Sequence, residues 1–375
     1  MALSRIDTTN MIEDVPQSKL DNNINFRNII INGDMSIAQR GTSFSCSNSS
    51  GDTYTLDRFE YIDVDTPDSV YTITQDTDVP SGQGFAKSLK VDVATADASL
   101  DSSDGTQIET KIEGQNLQYL NFGNSSAKSL TLSFWVKSNK TGTYVVRLLE
   151  PDASSRMTSF AYTISSANTW EKKTISVPAD TGGTINNDNG AGLNITWWLS
   201  AGTDYQSGSL ASTWQSYSNG DSAVGQVNLA DSTSNEWYIT GVQLEAGTTA
   251  SDFEFLPVDV NLDRCYRYYQ NLPYAFDTPI CNASAWSSTT AYGVMHLFST
   301  MRTRPSLDQV TGTSYYRFYN TGDSNDFFDG FTIQSEGNGN VIRIHNTDSI
   351  SVTAGDSGWF VMVNSSSYLA FDSEL

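Results

Sequence analysis

One stretch of this chain carries the apolar spacing of a helix, and its isolation constrains the fold more than any other feature. In Leu262–Gln270, read Leu-Asp-Arg-Cys-Tyr-Arg-Tyr-Tyr-Gln, the residues Leu262, Cys265, Tyr266 and Tyr269 fall at i, i+3, i+4 and i+7. Almost everything around it reads as short strands between Ser, Asn and Gly loops. A lone helix between two strand-rich regions is expected to be a domain joint. Tyr266, Tyr268 and Tyr269 cannot all face the core of one domain. At least one is therefore expected to pack against the adjoining domain or a neighbouring subunit.

The strand pattern is clearest in Leu130-Thr-Leu-Ser-Phe-Trp-Val-Lys137, with Leu130, Leu132, Phe134 and Val136 on one face and polar residues or Trp135 on the other. Asn139-Lys-Thr-Gly142 then turns toward Thr143–Leu149, an expected hairpin partner. Similar runs recur at Tyr54–Ile62, Ser69–Thr74, Leu89–Val93, Ile108–Ile112, Phe160–Ile164, Trp170–Val177, Leu193–Leu199 and Trp237–Leu244. Asn28–Arg40 reads as strand, Asn-Gly turn and strand. Strands of this number without intervening helices predict an all-β protein with a jelly-roll β-sandwich over 27–256. A linking helix over 257–272 then leads to a second, smaller β-sandwich-like domain over 273–375. Residues 1–26 have no sustained period and read as an extended N-terminal arm. Its apolar residues Leu3, Ile6, Met11, Ile12 and Val15 are expected to dock on another surface.

Composition removes several functions. The 43 acidic residues against 21 basic ones give a net charge of −22, which repels phosphate backbones and anionic membranes, so no nucleic-acid partner is expected. No 18-residue apolar run exists, so no membrane insertion is expected. Cys46, Cys265 and Cys281 form an odd set without a CxxC and predict reduced, mostly buried thiols.

Chemistry is sparse. His345 lies in the alternating strand Val341-Ile-Arg-Ile-His345 and His296 in an apolar strand, neither with a second ligand at metal spacing, and both read as structural. Gly-x-Ser-x-Gly, P-loop and Gly-x-Gly-x-x-Gly patterns are absent. Glu109, Glu113, Glu150, Glu236 and Glu245 could supply a glycosidase pair, but nothing marks them beyond their charge. No catalytic residue and no metal ligand is assigned. A structural calcium at Asp65–Asp68 or Asp97–Asp104 is the one ion the composition allows. Sugar binding needs flat aromatic faces beside hydroxyl-pairing groups. Trp197, Trp198, Tyr205, Trp214 and Tyr217, with Asn194, Asp204 and Gln215 among them, meet that description. Adjacent Trp197 and Trp198 must point to opposite faces, so at least one is expected in the core. A second candidate surface is Tyr315, Tyr316 and Tyr319 with Phe327 and Phe328.

Several stretches share an order with a known family: Asn32-Gly-Asp-Met-Ser-Ile-Ala-Gln-Arg-Gly-Thr42, Asp57-Arg-Phe59, Leu130–Asn139 with Gly142-Thr-Tyr144, and Thr169-Trp170. Gly241-Val-Gln-Leu-Glu245, Cys265-Tyr-Arg-Tyr-Tyr-Gln270, Met301-Arg302 and Pro305 continue it. In these the chain resembles bacteriophage tail-fibre and virion-surface proteins, in which a carbohydrate-binding-module-like jelly roll precedes a β-rich C-terminal domain. The opening Met-Ala-Leu-Ser-Arg-Ile with Met11-Ile12 resembles the virion-anchoring peptide of many tailspikes and fibres. The family usually has Trp where Phe59 stands, a change that keeps an aromatic core position. The resemblance implies a non-enzymatic adhesin on the virion surface, a homo-oligomer and specifically a trimer, with the arm docked on other virion proteins and bacterial surface glycan as ligand. An architectural adaptor that binds no glycan and a polysaccharide depolymerase are the alternatives. Asp57 and Arg58 are expected to form a framework ion pair.

Overall fold

The computed structural model describes residues 26–375 apart from Thr66, 273–275, 321–324 and 335–338. The candidate anchoring residues Leu3, Ile6, Met11, Ile12 and Val15 lie outside the described residues.

Alternating runs assemble into two antiparallel sheets over the first part of the chain. One has six strands in the order Ser43–Ser47, Val70–Asp76, Ser88–Thr95, Glu236–Ala246, Leu130–Ser138 and Glu171–Val177. The other has seven: Gln215–Ser216, Arg156–Ile164, Gly142–Glu150, Ala191–Ala201, Gly105–Glu113, Glu60–Val64 and Thr53–Tyr54. Strands remote in sequence lie side by side, as in a jelly-roll sandwich. Leu130, Leu132, Phe134 and Val136 are all fully buried between the sheets, as their alternation predicts. Trp197 closes that core edge-on to Phe134, with ring centres 5.8 Å apart, and beside Phe59 at 6.4 Å.

Two local expectations are corrected. Leu130–Ser138 and Gly142–Glu150 are not hairpin partners, because the turn between them crosses from one sheet to the other. Asn139 drives the crossing: its Oδ1 accepts the Glu236 N–H at 2.8 Å and its Nδ2 donates to the Ser234 carbonyl at 3.0 Å. Asn28–Arg40 forms no hairpin either. Asn32 and Met35 adopt left-handed φ values of 59° each, and side chains replace the ladder. Asn32 Nδ2 donates to the carbonyls of Ile37 and Asp57 at 2.9 Å each, and its Oδ1 accepts the Ile37 N–H. The result is a strap against Glu236–Ala246. It approaches so closely that a Cβ on Gly33 would stand 2.0 Å from the Val242 carbonyl oxygen.

The second part of the chain is again two antiparallel sheets. Three strands, Tyr269–Leu272, Leu369–Asp372 and Ser306–Gln309, pack on a seven-stranded sheet. Its order is Asn325–Phe328, Tyr316–Asn320, Ser357–Met362, Pro279–Ala285, Ala291–His296, Val341–Asn346 and Phe331–Ile333. Phe318, Phe328, Phe331, Ile342, Ile344 and Phe360 line one face of it and join Leu369 and Phe371 in a single core.

The joint is a helix, Val258–Tyr266, shorter than the spacing predicts. It stops there because Tyr269–Leu272 pairs with Leu369–Asp372 as a strand. Tyr268 and Tyr269 are each only 1% exposed. The Arg58 guanidinium sits 3.5 Å from the Tyr268 ring centre and that of Arg40 3.6 Å from Tyr269. Both arginines come from the first sandwich. Asp57 and Arg58 do not pair with each other: Asp57 accepts from the Gln39 N–H at 2.7 Å, while Arg58 bonds the Glu374 carboxylate and the Lys111 carbonyl. They remain framework residues with different partners. Arg267 grips Glu113 with both Nε and Nη2, at 2.6 and 2.7 Å.

The Glu113 side chain is 0% exposed, so removing its cation leaves a buried charge with a neutral partner, the Gln115 amide, but no counter-ion bonded to it. Arg267→Ala is expected to cost about 3 kcal/mol in urea unfolding, with partial recovery in Arg267→Lys. A change within about 0.5 kcal/mol would contradict this role for the pair.

Candidate functional site

The aromatics singled out in the first sandwich are mostly enclosed. Trp197 and Trp198 are both 0% exposed, pointing to opposite faces of Ala191–Ala201 as the alternation requires. The outward one, Trp198, is covered by the loop that follows its own strand, with Tyr205 against it at 5.0 Å. Trp214 packs edge-on to Phe122 at 5.9 Å and spends its indole N–H on the Pro178 carbonyl at 2.8 Å. Covered rings offer no face to a sugar, so Trp197, Trp198, Tyr205 and Trp214 are packing residues. Tyr217 alone of the five is exposed, with the Arg147 guanidinium 5.7 Å from its ring centre.

The outward side chains of this seven-stranded sheet neutralise one another. Glu109 accepts from Thr196 Oγ1 at 2.6 Å and Asn194 Nδ2 at 3.0 Å, with Arg147 3.8 Å away. Lys111 stands 2.6 Å from Glu60 and 3.9 Å from Glu109, and also donates to the Leu375 carbonyl at 3.0 Å. Glu245 is taken up by Ser251 and Gln243, and Glu236 accepts from Tyr238 Oη and Lys90. Among the described residues no three His, Cys, Asp or Glu groups come together as a metal site. A cavity of about 720 Å³ opens beside the joint helix, but three of its cations, Arg58, Lys111 and Arg267, already hold carboxylates.

Glu150 is different. Both its carboxylate oxygens are buried without a hydrogen-bond partner among the described residues. Its neighbour Asp180 is committed to Arg156 through two bonds of 2.5 and 2.9 Å. A Cβ on Gly183 would lie 2.3 Å from Glu150 Oε2 and 2.5 Å from Asp180 Oδ2, so glycine leaves the space the two groups fill. Burial, and then the Asp180 charge, push the Glu150 carboxyl up to about 9.

The open surface is in the second domain. Its seven-stranded sheet buries one face in the core, so the alternate residues point away from it. Tyr319 and Trp359 are cross-strand partners there, stacked with ring centres 5.0 Å apart and planes at 28°. Asn282 stands opposite Trp359 on the next strand. Farther across, Ser284, Tyr292, His345 and Thr332 form one row through their registers. Tyr292 packs on His345 at 5.3 Å, and Trp286, 77% exposed, meets Tyr292 edge-on at 6.4 Å. The strands of Trp359 and Tyr292 are separated by one strand, on which their partners Asn282 and Ser284 lie two residues apart, so the two aromatic groups stand roughly 12 Å apart. Arg317 lies over Tyr319 at 5.2 Å and Arg343 over Tyr292 at 5.3 Å.

Of the second sequence-predicted group, Tyr319 belongs to this face and Tyr315 is half-buried at its margin against the core. Tyr316 points inward, 0% exposed, and stacks on Phe328. Phe327 is outward and 46% exposed. Trp286, Tyr292, Trp359 and Arg343 escaped the sequence reading. The signal was the alternation Asn282, Ser284, Trp286 and Tyr292, Val294, His296, which strings polar and aromatic residues on one side of each strand.

No protein-family model matches the chain, and neither does any curated protein sequence. Among solved structures it is similar to the enzymatically active domain of tailspike protein 4 from bacteriophage CBA120, at 15% identity and a TM-score of 0.31. That likeness covers 59% of this chain and only 22% of the tailspike chain. It is also similar to a family 11 carbohydrate-binding module from Clostridium thermocellum in complex with a β-1,3-1,4-mixed-linked tetrasaccharide, at 10% identity over 56% of this chain and 98% of the module, with a TM-score of 0.28. A third is TmCBM61 in complex with β-1,4-galactotriose, at 11% identity over 59% of this chain and 99% of that one, TM-score 0.28. Likenesses this partial decide nothing about ligands, and the site stands on its own residues.

The raised Glu150 carboxyl gives a pH test. The folded chain holds its proton, while the unfolded chain releases it near the ordinary 4.5, so the stability it contributes is whole below 4.5 and lost as pH rises toward 9. Glu150→Gln keeps the neutral form at every pH. Its stability gain over the parent is expected to be at least about 1 kcal/mol larger at pH 8.5 than at pH 5 by thermal unfolding. An equal effect at both pH values would contradict the burial account.

Proposed function

We propose that this chain is a structural protein of a bacteriophage fibre, and that the outer face of its C-terminal seven-stranded sheet binds bacterial surface glycan. The observation that carries the binding role is the pair of solvent-facing aromatic groups, Tyr319 with Trp359 and Trp286 with Tyr292. Flat rings can meet the apolar faces of pyranose rings, and Asn282 and Ser284 on the same side of the sheet can pair with hydroxyls. The role is binding without turnover.

Support for the fibre assignment is the sequence resemblance to phage tail-fibre and virion-surface proteins. In that reading the protein is displayed on the virion as a homotrimer, with residues 1–26 docked on other virion proteins. Three or more copies of a modest site on one particle would give avidity without any further contact.

Trp286→Ala and Tyr319→Ala remove rings from the outward face, away from the core. Each is expected to weaken binding of the purified oligomer to host cells about tenfold or more, a loss of about 1.4 kcal/mol, with unchanged thermal unfolding. Undiminished host-cell binding by both variants would overturn the assignment of this face and leave it a contact between virion proteins.

A further inference from the structure

The loop 178–190 joins Glu171–Val177 to Ala191–Ala201 and so crosses from one sheet of the first sandwich to the other. Near its start Asp180, 1% exposed, converges with the buried Glu150 over Gly183. Near its end Asn189 reaches the second domain: its Nδ2 donates to the Arg302 carbonyl at 2.7 Å, and Arg302 Nη1 donates to the Asn189 carbonyl at 3.0 Å. Between the two, Ile185 is buried in the first core, and Asn186 donates to Asp152 through its N–H and its Nδ2 at 3.0 and 2.9 Å. One short segment therefore carries both a buried carboxyl pair and a contact between the domains.

The pair decides whether the loop stays in place. Asp180 has its donors: Arg156 Nε and Nη2, and the Gly182 N–H at 2.8 Å. Glu150 has none among the described residues. The charged groups around it are Asp180 on the loop, Asp152 on the turn after its own strand, and Arg156 at the start of the next strand. One guanidinium against two facing carboxylates leaves a buried negative charge, and Asp152 adds to it. A proton on Glu150 removes that charge and supplies the missing donor, because a carboxylic acid gives its O–H to the neighbouring carboxylate.

We propose that the loop 178–190 is a latch held shut by a proton shared between Glu150 and Asp180, and that its opening undoes the Asn189–Arg302 contact between the two domains. Proton balance sets the direction. Shut, the pair keeps the proton up to about 9; open, Glu150 meets water and releases it to solvent near 4.5. Opening therefore liberates one proton across that window and becomes up to about tenfold easier per pH unit, while acid closes the latch.

The test is hydrogen exchange of the full chain between about pH 5.5 and 8, expressed as protection relative to intrinsic exchange rates. Protection of the Gly182 and Asn186 N–H groups is expected to fall about tenfold per pH unit, while that of Leu132 and Val136 in the sheet stays level. The side-chain amide of Asn189 should lose protection in step with the loop. Glu150→Gln, which donates to Asp180 at every pH, should hold all of these constant, and the parent's pH series decides the matter by itself should that variant not fold. Loop protection independent of pH would overturn the latch, and a parallel fall at Leu132 and Val136 would replace it with global unfolding. Loss of protection in the loop but not at the Asn189 side chain would overturn the link to the second domain. Protection restored at alkaline pH by millimolar calcium, in the parent but not in Glu150→Gln, would put a metal ion in place of the proton and overturn the proposal.

Discussion

Arg58 is the residue on which the arrangement of the two sandwiches depends. Its guanidinium is 1% exposed, with the Tyr268 ring 3.5 Å from it, the Lys111 carbonyl at 2.6 Å and the Glu374 carboxylate bound to it. A buried arginine is tolerated only when its donors are met from several sides, and here those sides come from both domains. Arg40 repeats the device one layer away, with Asp372 at 2.9 Å, Glu374 at 3.3 Å and the Tyr269 ring beneath it. Arg302 completes it by donating to the carbonyls of Ser373 and Asn189 at 2.7 and 3.0 Å. The last strand of the second domain is thereby clamped to the first, which fixes the side on which the outer sheet face is presented.

The same clamp explains why the first sandwich offers less. Its seven-stranded sheet is closed at one end by the segment carrying Tyr205 and at the other by Leu375, whose carbonyl accepts from Tyr54 Oη and Lys111 Nζ. What lies between is a neutralised polar network around Glu109. The outer sheet of the second domain is covered at Val361, which is 1% exposed, but Trp286, 77% exposed, reaches solvent there. Part of the sequence on which the resemblance rests lies on the clamp: Asn32, Gln39, Arg40, Asp57, Arg58, Tyr268, Tyr269 and Arg302 all take part in it. These residues join the two sandwiches, whereas the face proposed for binding uses other residues.

Much of the architecture was legible in the sequence because strand alternation is local. Leu130, Leu132, Phe134 and Val136 sort to one face by themselves, and the spacing of Leu262, Cys265, Tyr266 and Tyr269 announced a packing joint, of which Cys265 and Tyr269 are buried while Leu262 and Tyr266 are half-buried. The site was less legible for a physical reason. Alternation states that Trp197 and Trp198 face opposite ways, but not that a loop returns to cover the outward one. In Pro279–Ala285 and Val341–Asn346 the period shows two faces, and only the position of the three-stranded sheet decides which is buried. Asn28–Arg40 misled because Asn32 satisfies through its side chain the bonds that a hairpin would make through its backbone. Arg58 and Glu374 are 316 residues apart, a separation that no spacing rule reaches.

The central claim is that ligand meets the outer sheet face of the second domain. The eight tryptophans are distributed so that indole N–H resonances can decide it. On titration with a host-surface oligosaccharide, the account predicts shifts in the signals of Trp286 and Trp359, while those of buried Trp197, Trp198 and Trp237 stay in place. Shifts confined to the first sandwich's indoles, with Trp286 and Trp359 unmoved at saturation, would contradict it.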